Sequence, residues 1–371
     1  MRNVFGKGKK LKLILSVIII LILIAVIAVG CIFRTELNVL KNVIKVDDYG
    51  FYTMNYDMNY DLYELLFTGA STDQEYIDYI IKKIFKGIPI SINISNYACS
   101  TFNGVSSNEE YILGRNFDWG YSPSMLVWTD PEVGYSSISM VNLGFLVYDD
   151  TYLPDNYFNR LLTLAAPYVP LDGMNEKGLA IGVLQLMDDA TNQNTDKVDL
   201  TTTAMIRLVL DRAATVEEAI ALFNSYDMHD SVGSCYHYQI IDATGASVII
   251  EYVDNVLNLI YPEHNELNIQ DFQMAANFYI TEGVDDPKGF GQDRYQIIED
   301  TLAETGGLIN QSEAMDLLEA ARITSYVWED GWEDKTQWSI VYDVTNLKVD
   351  ICVGMNYDKV YSYSLSAPPI N

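Results

Sequence analysis

Cysteine is scarce. Only four occur in 371 residues, at positions 31, 99, 235 and 352, too few and too widely spread for a disulfide framework. No Cys-x-x-Cys pair is present, so neither a metal centre nor a cofactor is expected. Histidine is scarcer still: His229, His237 and His264 lie in no pattern that would pair them with a nucleophile, and each is read as structural. Positive charge is thin outside one short region. Arg2, Lys7, Lys9, Lys10, Lys12 and Arg34 fall within the first 34 residues, which contain no acid, and the rest of the chain sets 17 basic residues against 51 acidic ones. A body so acidic repels nucleic acid and anionic membrane surfaces, which excludes DNA or RNA as partners. Internal repeats and low-complexity tracts are also missing.

What is present starts with residues 13–33, an apolar run interrupted only by Ser16 and long enough to cross a hydrocarbon core of about 30 Å as a helix. Five basic residues precede it, which keeps the N-terminus cytoplasmic and places the remainder outside the cell membrane, as a single-pass protein. A removable signal peptide, whose apolar region is usually shorter, is one alternative. Lipidation at Cys31 in Ala28-Val29-Gly30-Cys31 is another. The expected organisation is a basic tail over 1–12, an anchor over 13–33, a prosegment over 34–98 and a catalytic domain over 99–371. The prosegment opens with a Tyr- and Asp-rich stretch (47–67) suited to lying across another surface. A helix follows, capped by Ser71-Thr72-Asp73-Gln74, with Tyr76, Ile77, Ile80, Ile81, Ile84 and Phe85 on one face until Gly87 and Pro89 stop it. An ordinary N-terminal subdomain is the alternative reading of this stretch.

Cys99 lies in Ala98-Cys99-Ser100-Thr101-Phe102, and Arg115 and Asp118 follow in Gly114-Arg115-Asn116-Phe117-Asp118-Trp119. The intervening residues read as a hairpin with a turn from Asn103-Gly104 through Asn108-Glu109, bringing Cys99 beside the far end of the second strand. A guanidinium near the sulfur is expected to lower the thiol pKa and favour the nucleophilic thiolate. Cys235 and Cys352 sit in apolar strand-like runs and are read as core. Three further blocks accompany the cysteine: residues 172–179 (Asp-Gly-Met-Asn-Glu-Lys-Gly-Leu), Ala275-Ala276-Asn277, and Gln292-Asp293-Arg294-Tyr295.

Together these blocks resemble the choloylglycine hydrolase family of N-terminal-nucleophile (Ntn) linear amide C-N hydrolases. Its relatives include penicillin V acylases, bile salt hydrolases, acid ceramidase-like amidases and isopenicillin N acyltransferases. The resemblance implies an α+β fold, a four-layer αββα sandwich. It implies self-cleavage between Ala98 and Cys99, after which the free α-amine of Cys99 serves as base and its thiol as nucleophile. Arg115 is then the thiol-polarising cation, Asp118 the group holding the amine, Asn277 the oxyanion-hole amide and Arg294 an active-site arginine. Gln185, in Gly182-Val183-Leu184-Gln185, departs from the asparagine usual in bile-salt and penicillin V enzymes, which puts the substrate in question more than the mechanism. Asn175 and Gly178 are read as shaping a turn.

Downstream, Thr201 to Ala214, Thr215 onward (a capping-box start) and Ser312 to Ala321 read as helices. Tyr236 to Ile241, Ala246 to Tyr252, Trp338 to Tyr342 and Val349 to Gly354 read as strands in hairpins, so antiparallel sheets with outer helical layers are expected. Trp119 and Trp128, with Gln185, are the candidate substrate-binding side chains. The expected function is hydrolysis of N-acylated small molecules through an acyl-enzyme. Acyl transfer on the same scaffold and a catalytically silent surface binding protein are the alternatives, and the oligomeric state is open.

Overall fold

The computed structural model describes residues 4–88, 98–266 and 269–369. Pro89 and the stretch up to the expected cut lie outside the described residues.

The first hairpin of the expected catalytic domain is built from Ala98–Val105 and Tyr111–Trp119, antiparallel, with Cys99 opposite Phe117 and Thr101 opposite Arg115. Asn103 and Gly104 belong to the strand and not to the turn. Asn103 is buried, accepting from the Gln273 N–H at 2.8 Å, and Gly104 lies so close to Ile309 that a Cβ would sit 2.5 Å from its side chain. Tertiary pairing therefore carries the strand through two residues with turn propensity, and the chain reverses over Ser106–Glu110 instead.

This hairpin lies in a sheet ordered Met274–Ala275, Ala98–Val105, Tyr111–Trp119, Glu333–Asp343, Lys348–Val353, Tyr361–Ser364, with the short strand Tyr326–Val327 pairing beside Glu333–Asp343. A nine-stranded sheet faces it, and its Ala180–Asp189 strand lies against Ala98–Val105. Helices Thr202–Arg212 and Val216–Phe223 pack on the nine-stranded sheet, while Gln292–Thr305 and Gln311–Ala320 pack on the other. The layering is thus helix, sheet, sheet, helix. Alternation along the strands divides the core accordingly: Cys99, Leu113 and Phe117 join the cluster between the sheets, whereas Phe102, Ile112 and Val341 join Ile298, Leu302 and Leu318 beneath the helices.

Residues 34–88 are welded into this body. Phe51–Tyr56 runs parallel beside Ser124–Thr129 and, with Val43–Lys45, extends the nine-stranded sheet at one edge. The expected helix forms over Asp73–Ile84, capped by the Thr72 hydroxyl, which accepts from the Glu75 N–H at 3.2 Å. Its buried face carries Tyr76, Ile77, Tyr79, Ile80 and Ile84, and the Tyr76 hydroxyl donates to the Tyr168 carbonyl at 2.7 Å. Before it, Val4–Ile32 is helical, with Leu13, Ile18 and Leu21 exposed. Among the described residues no helix is long and apolar enough to cross a membrane, so the anchor expected over 13–33 is not borne out there; the side chains of residues 4–11, 25, 26 and 29 lie outside that description.

Candidate active site

Because successive strand residues face opposite sides, Cys99 and Arg115 turn their side chains toward the space between the sheets, while Asp118 turns toward the helical layer. Arg115 is fully buried. Its Nη2 donates to Cys99 Sγ at 3.1 Å and to the Val183 carbonyl at 2.8 Å, and its Nη1 pairs with Asp172. Asp172 in turn accepts from the Tyr342 hydroxyl. Gly182 makes room for this arrangement, since a Cβ there would stand 3.3 Å from the Arg115 side chain.

On the other side, Gln292–Thr305 starts after Gly291, whose φ of 91° is the left-handed conformation open to glycine. That start aims Arg294 at the cysteine. Its Nη1 donates to the Cys99 carbonyl at 2.8 Å and to Asp118 Oδ2 at 2.9 Å, and its Nη2 donates to Asn277 Oδ1 at 2.8 Å. Asn277 Oδ1 also accepts the Cys99 backbone N–H at 3.0 Å, while its Nδ2 donates to the Gln185 carbonyl at 2.9 Å. Asp118 accepts a second hydrogen bond, from the Thr336 hydroxyl at 2.5 Å.

The five residues expected to carry the chemistry, Cys99, Arg115, Asp118, Asn277 and Arg294, are therefore brought together by the fold. Two features of the continuous chain stand beside these expected roles. Burial pushes the Cys99 thiol up to about 12, with Arg115 pulling the other way. The nitrogen of Cys99, an amide in the continuous chain, donates to Asn277. Burial likewise raises Asp118, to about 6, against the pull of Arg294.

The candidate substrate residues separate. Gln185 is adjacent through its backbone carbonyl, but its side-chain amide donates to Ser234 at 2.7 Å. Trp119 follows Asp118 at the same end of the sheet. Trp128 is not brought to the cysteine: its indole donates to the Ser364 carbonyl at 3.0 Å and packs on Tyr363, at the opposite edge of the sheet from Ala98–Val105. Asn175 shapes a turn as expected, its amide bridging the Leu210 and Ala213 carbonyls and the Lys177 and Leu179 N–H groups. His237 pairs with Glu251 at 2.9 Å in the interior, away from any bond to Cys99. Asp172, Tyr342 and Thr336 were not anticipated. Asp172 carries one signal, its place at the head of the 172–179 block; the other two carry none.

Residues 99–273 match the model of the linear amide C-N hydrolases, choloylglycine hydrolase family. No curated protein matches the chain. Among solved structures the chain is similar to a mutant of conjugated bile acid hydrolase from Clostridium perfringens, at 14% identity and a TM-score of 0.52, over 72% of this chain and 92% of that one. A second variant of that hydrolase aligns at 15% identity and 0.52 over 72% and 93%. Penicillin V acylase from Agrobacterium tumefaciens aligns at 18% identity and 0.47 over 72% and 86%.

Proposed function

Residues 99–273 belong to the choloylglycine hydrolase family of linear amide C-N hydrolases, and from that premise we propose that this chain is an amidase whose nucleophile is Cys99, freed by self-cleavage at the Ala98–Cys99 bond. The observation that supports this most is the contact of Arg115 Nη2 with Cys99 Sγ at 3.1 Å, in a buried cluster where Asn277 and Arg294 hold the residue's own nitrogen and carbonyl.

Cutting the bond turns an amide into an α-amine, whose ordinary pKa near 7.7–8.0 suits a base around neutral pH. The amine takes the thiol proton as sulfur attacks the substrate carbonyl. Arg115 stabilises the charge that develops on sulfur, and the Asn277 amide, which has two hydrogens and gives one to the Gln185 carbonyl, offers the other to the oxyanion. Collapse passes the proton to the departing nitrogen and leaves a thioester, which water then hydrolyses. The substrate is an N-acylated small molecule, and the residues before the cut remain packed as a small subunit. The apolar sequence of residues 13–33 is what supports anchoring of that subunit in a cell membrane, with the catalytic chain outside, although no helix among the described residues is long and apolar enough to span one.

Mass spectrometry of the expressed protein tests the first step, and a mature chain starting at Cys99 is the expected product. Cys99→Ala should prevent both the cut and amide hydrolysis. Cys99→Ser should cut slowly and lose most turnover, because an alcohol ionises far less readily than a thiol. An active protein with the Ala98–Cys99 bond intact overturns the amine-base mechanism.

A further inference from the structure

Five aromatic side chains border the polar cluster without taking part in its hydrogen bonds. Trp119 follows Asp118, and its ring centroid lies 5.1 Å from that of Trp332. Phe290 donates its N–H to the Asn277 carbonyl at 2.9 Å, lies 5.5 Å from the Arg294 guanidinium, and packs on Tyr326 and Trp328 at 5.9 and 5.2 Å. Asp334, buried, ties the set together. It accepts from the Trp328 and Trp332 indoles at 2.6 and 2.8 Å, fixing two tryptophans on one short hairpin. The outward faces stay open: Tyr326 and Trp332 are each 43% exposed. A rigid aromatic surface left in water beside a polar cluster has the character of a ligand site.

Its position relative to Cys99 assigns the half of the substrate it meets. The sulfur faces the space between the sheets with Arg115, and Trp119 shares that face, whereas Phe290, with Tyr326 and Trp328 packed on it, adjoins Arg294 and Asn277, which hold the carbonyl and the nitrogen of Cys99. In the reaction proposed above, that nitrogen hands its proton to the departing amine, so the amine half of the substrate lies on this side. Charge narrows its chemistry. Residues 326–335 include Glu329, Asp330, Glu333 and Asp334 against the single base Lys335. A carboxylate or sulfonate there is repelled, while an ammonium is tolerated.

We propose that this aromatic platform binds the leaving amine, and that the amine is an apolar or cationic aryl- or alkylamine rather than an amino acid or an aminosulfonate. The proposal rests on the amidase reading, so its test has one arm that needs no turnover. In the first arm, the full chain is given two amides of one acyl group, one of phenethylamine and one of glycine. The phenethylamide should be preferred, and Tyr326→Ala or Trp332→Ala should lower that preference by roughly tenfold, mainly through KM. Trp332→Phe, which keeps a ring, should restore part of it. In the second arm, phenethylamine alone should quench the tryptophan fluorescence of the Cys99→Ala chain, glycine should not, and Trp332→Ala should remove the effect. Binding of phenethylamine without cleavage of either amide sinks the amidase reading and keeps the platform. Cleavage of both amides at a ratio the variants do not move, or equal binding of glycine, overturns the platform and leaves the amidase standing.

Discussion

Arg115 shows how much one side chain is asked to do. It is enclosed, paired with Asp172, bonded to the Val183 carbonyl and set on the sulfur, and its guanidinium lies 5.4 Å from the Phe117 ring centroid. A planar fork can meet these partners at once; an ammonium cannot. Arg115→Lys should therefore keep the charge and still lose roughly 100-fold or more in kcat/KM, measured on any amide the protein cleaves. Asp172→Asn removes a partner of a buried ion pair and should cost about 3–5 kcal/mol of stability in a denaturant titration. Asp118 adds a second step to the pH dependence set by the α-amine. Its carboxyl is raised to about 6, so it pairs with Arg294 as an anion above that value and gains a proton below it. Activity, already falling below about 8 as the α-amine gains its proton, should fall more steeply as pH drops through about 6, and Asp118→Asn should remove that second step and leave the first. For stability the sign is opposite: a raised carboxyl favours the folded state at low pH, and that contribution is lost as pH rises from the unfolded value toward 6. The residues that touch Cys99 were legible because the short blocks they sit in together resemble the choloylglycine hydrolase family. Thr336 and Asp334 were not, since a hydroxyl and a carboxylate on a strand carry no mark until the fold sets Asp118 and two indoles against them.

Among the elements, local signals read well and distant pairings did not. Apolar spacing and a hydroxyl cap placed the helix Asp73–Ile84, and Thr215 caps the helix Val216–Phe223 as its capping-box pattern predicts. The strand Phe51–Tyr56 gave no comparable signal. Its partner, Ser124–Thr129, lies some seventy residues on and runs parallel, so nothing nearby in the chain predicts the pairing. The Tyr-rich composition around it makes sense only against other elements distant in sequence: Tyr56 donates to the Leu164 carbonyl at 3.1 Å and Tyr60 to Asp211 at 2.7 Å. These are buried hydroxyls serving groups that would otherwise be unsatisfied. Tyr76→Phe, which strands the Tyr168 carbonyl, should cost about 1–3 kcal/mol, read as a shift in the urea midpoint.

At the scale of the molecule, the expected sandwich and the layer order agree with the fold. The division at residue 98 remains a proposal and makes a firm demand: a fragment that supplies two strands to the nine-stranded sheet cannot leave without baring a core edge. Cys99, Cys235 and Cys352 are buried free thiols, and Cys31 is free as well, so no disulfide links the two sides among the described residues. After the proposed cut, urea and not reductant should separate the Cys99-starting chain from the piece before it, as size-exclusion chromatography followed by immunoblotting would record. A catalytic chain that separates in plain buffer and stays active would show the small subunit to be dispensable.

The parallel pairing of Phe51–Tyr56 with Ser124–Thr129 also bears on time. While the chain is continuous, that contact closes a loop within one molecule and forms at a rate independent of concentration. Once the backbone is cut, the same contact joins two molecules, and recovery from denaturant becomes second order, slow at dilution and prone to aggregation. The uncut Cys99→Ala chain should refold at a fixed rate over a wide dilution series, whereas the mature protein should not. The proposed cut would then act as a ratchet, and the working lifetime of the cut protein would be governed by how slowly its two pieces separate.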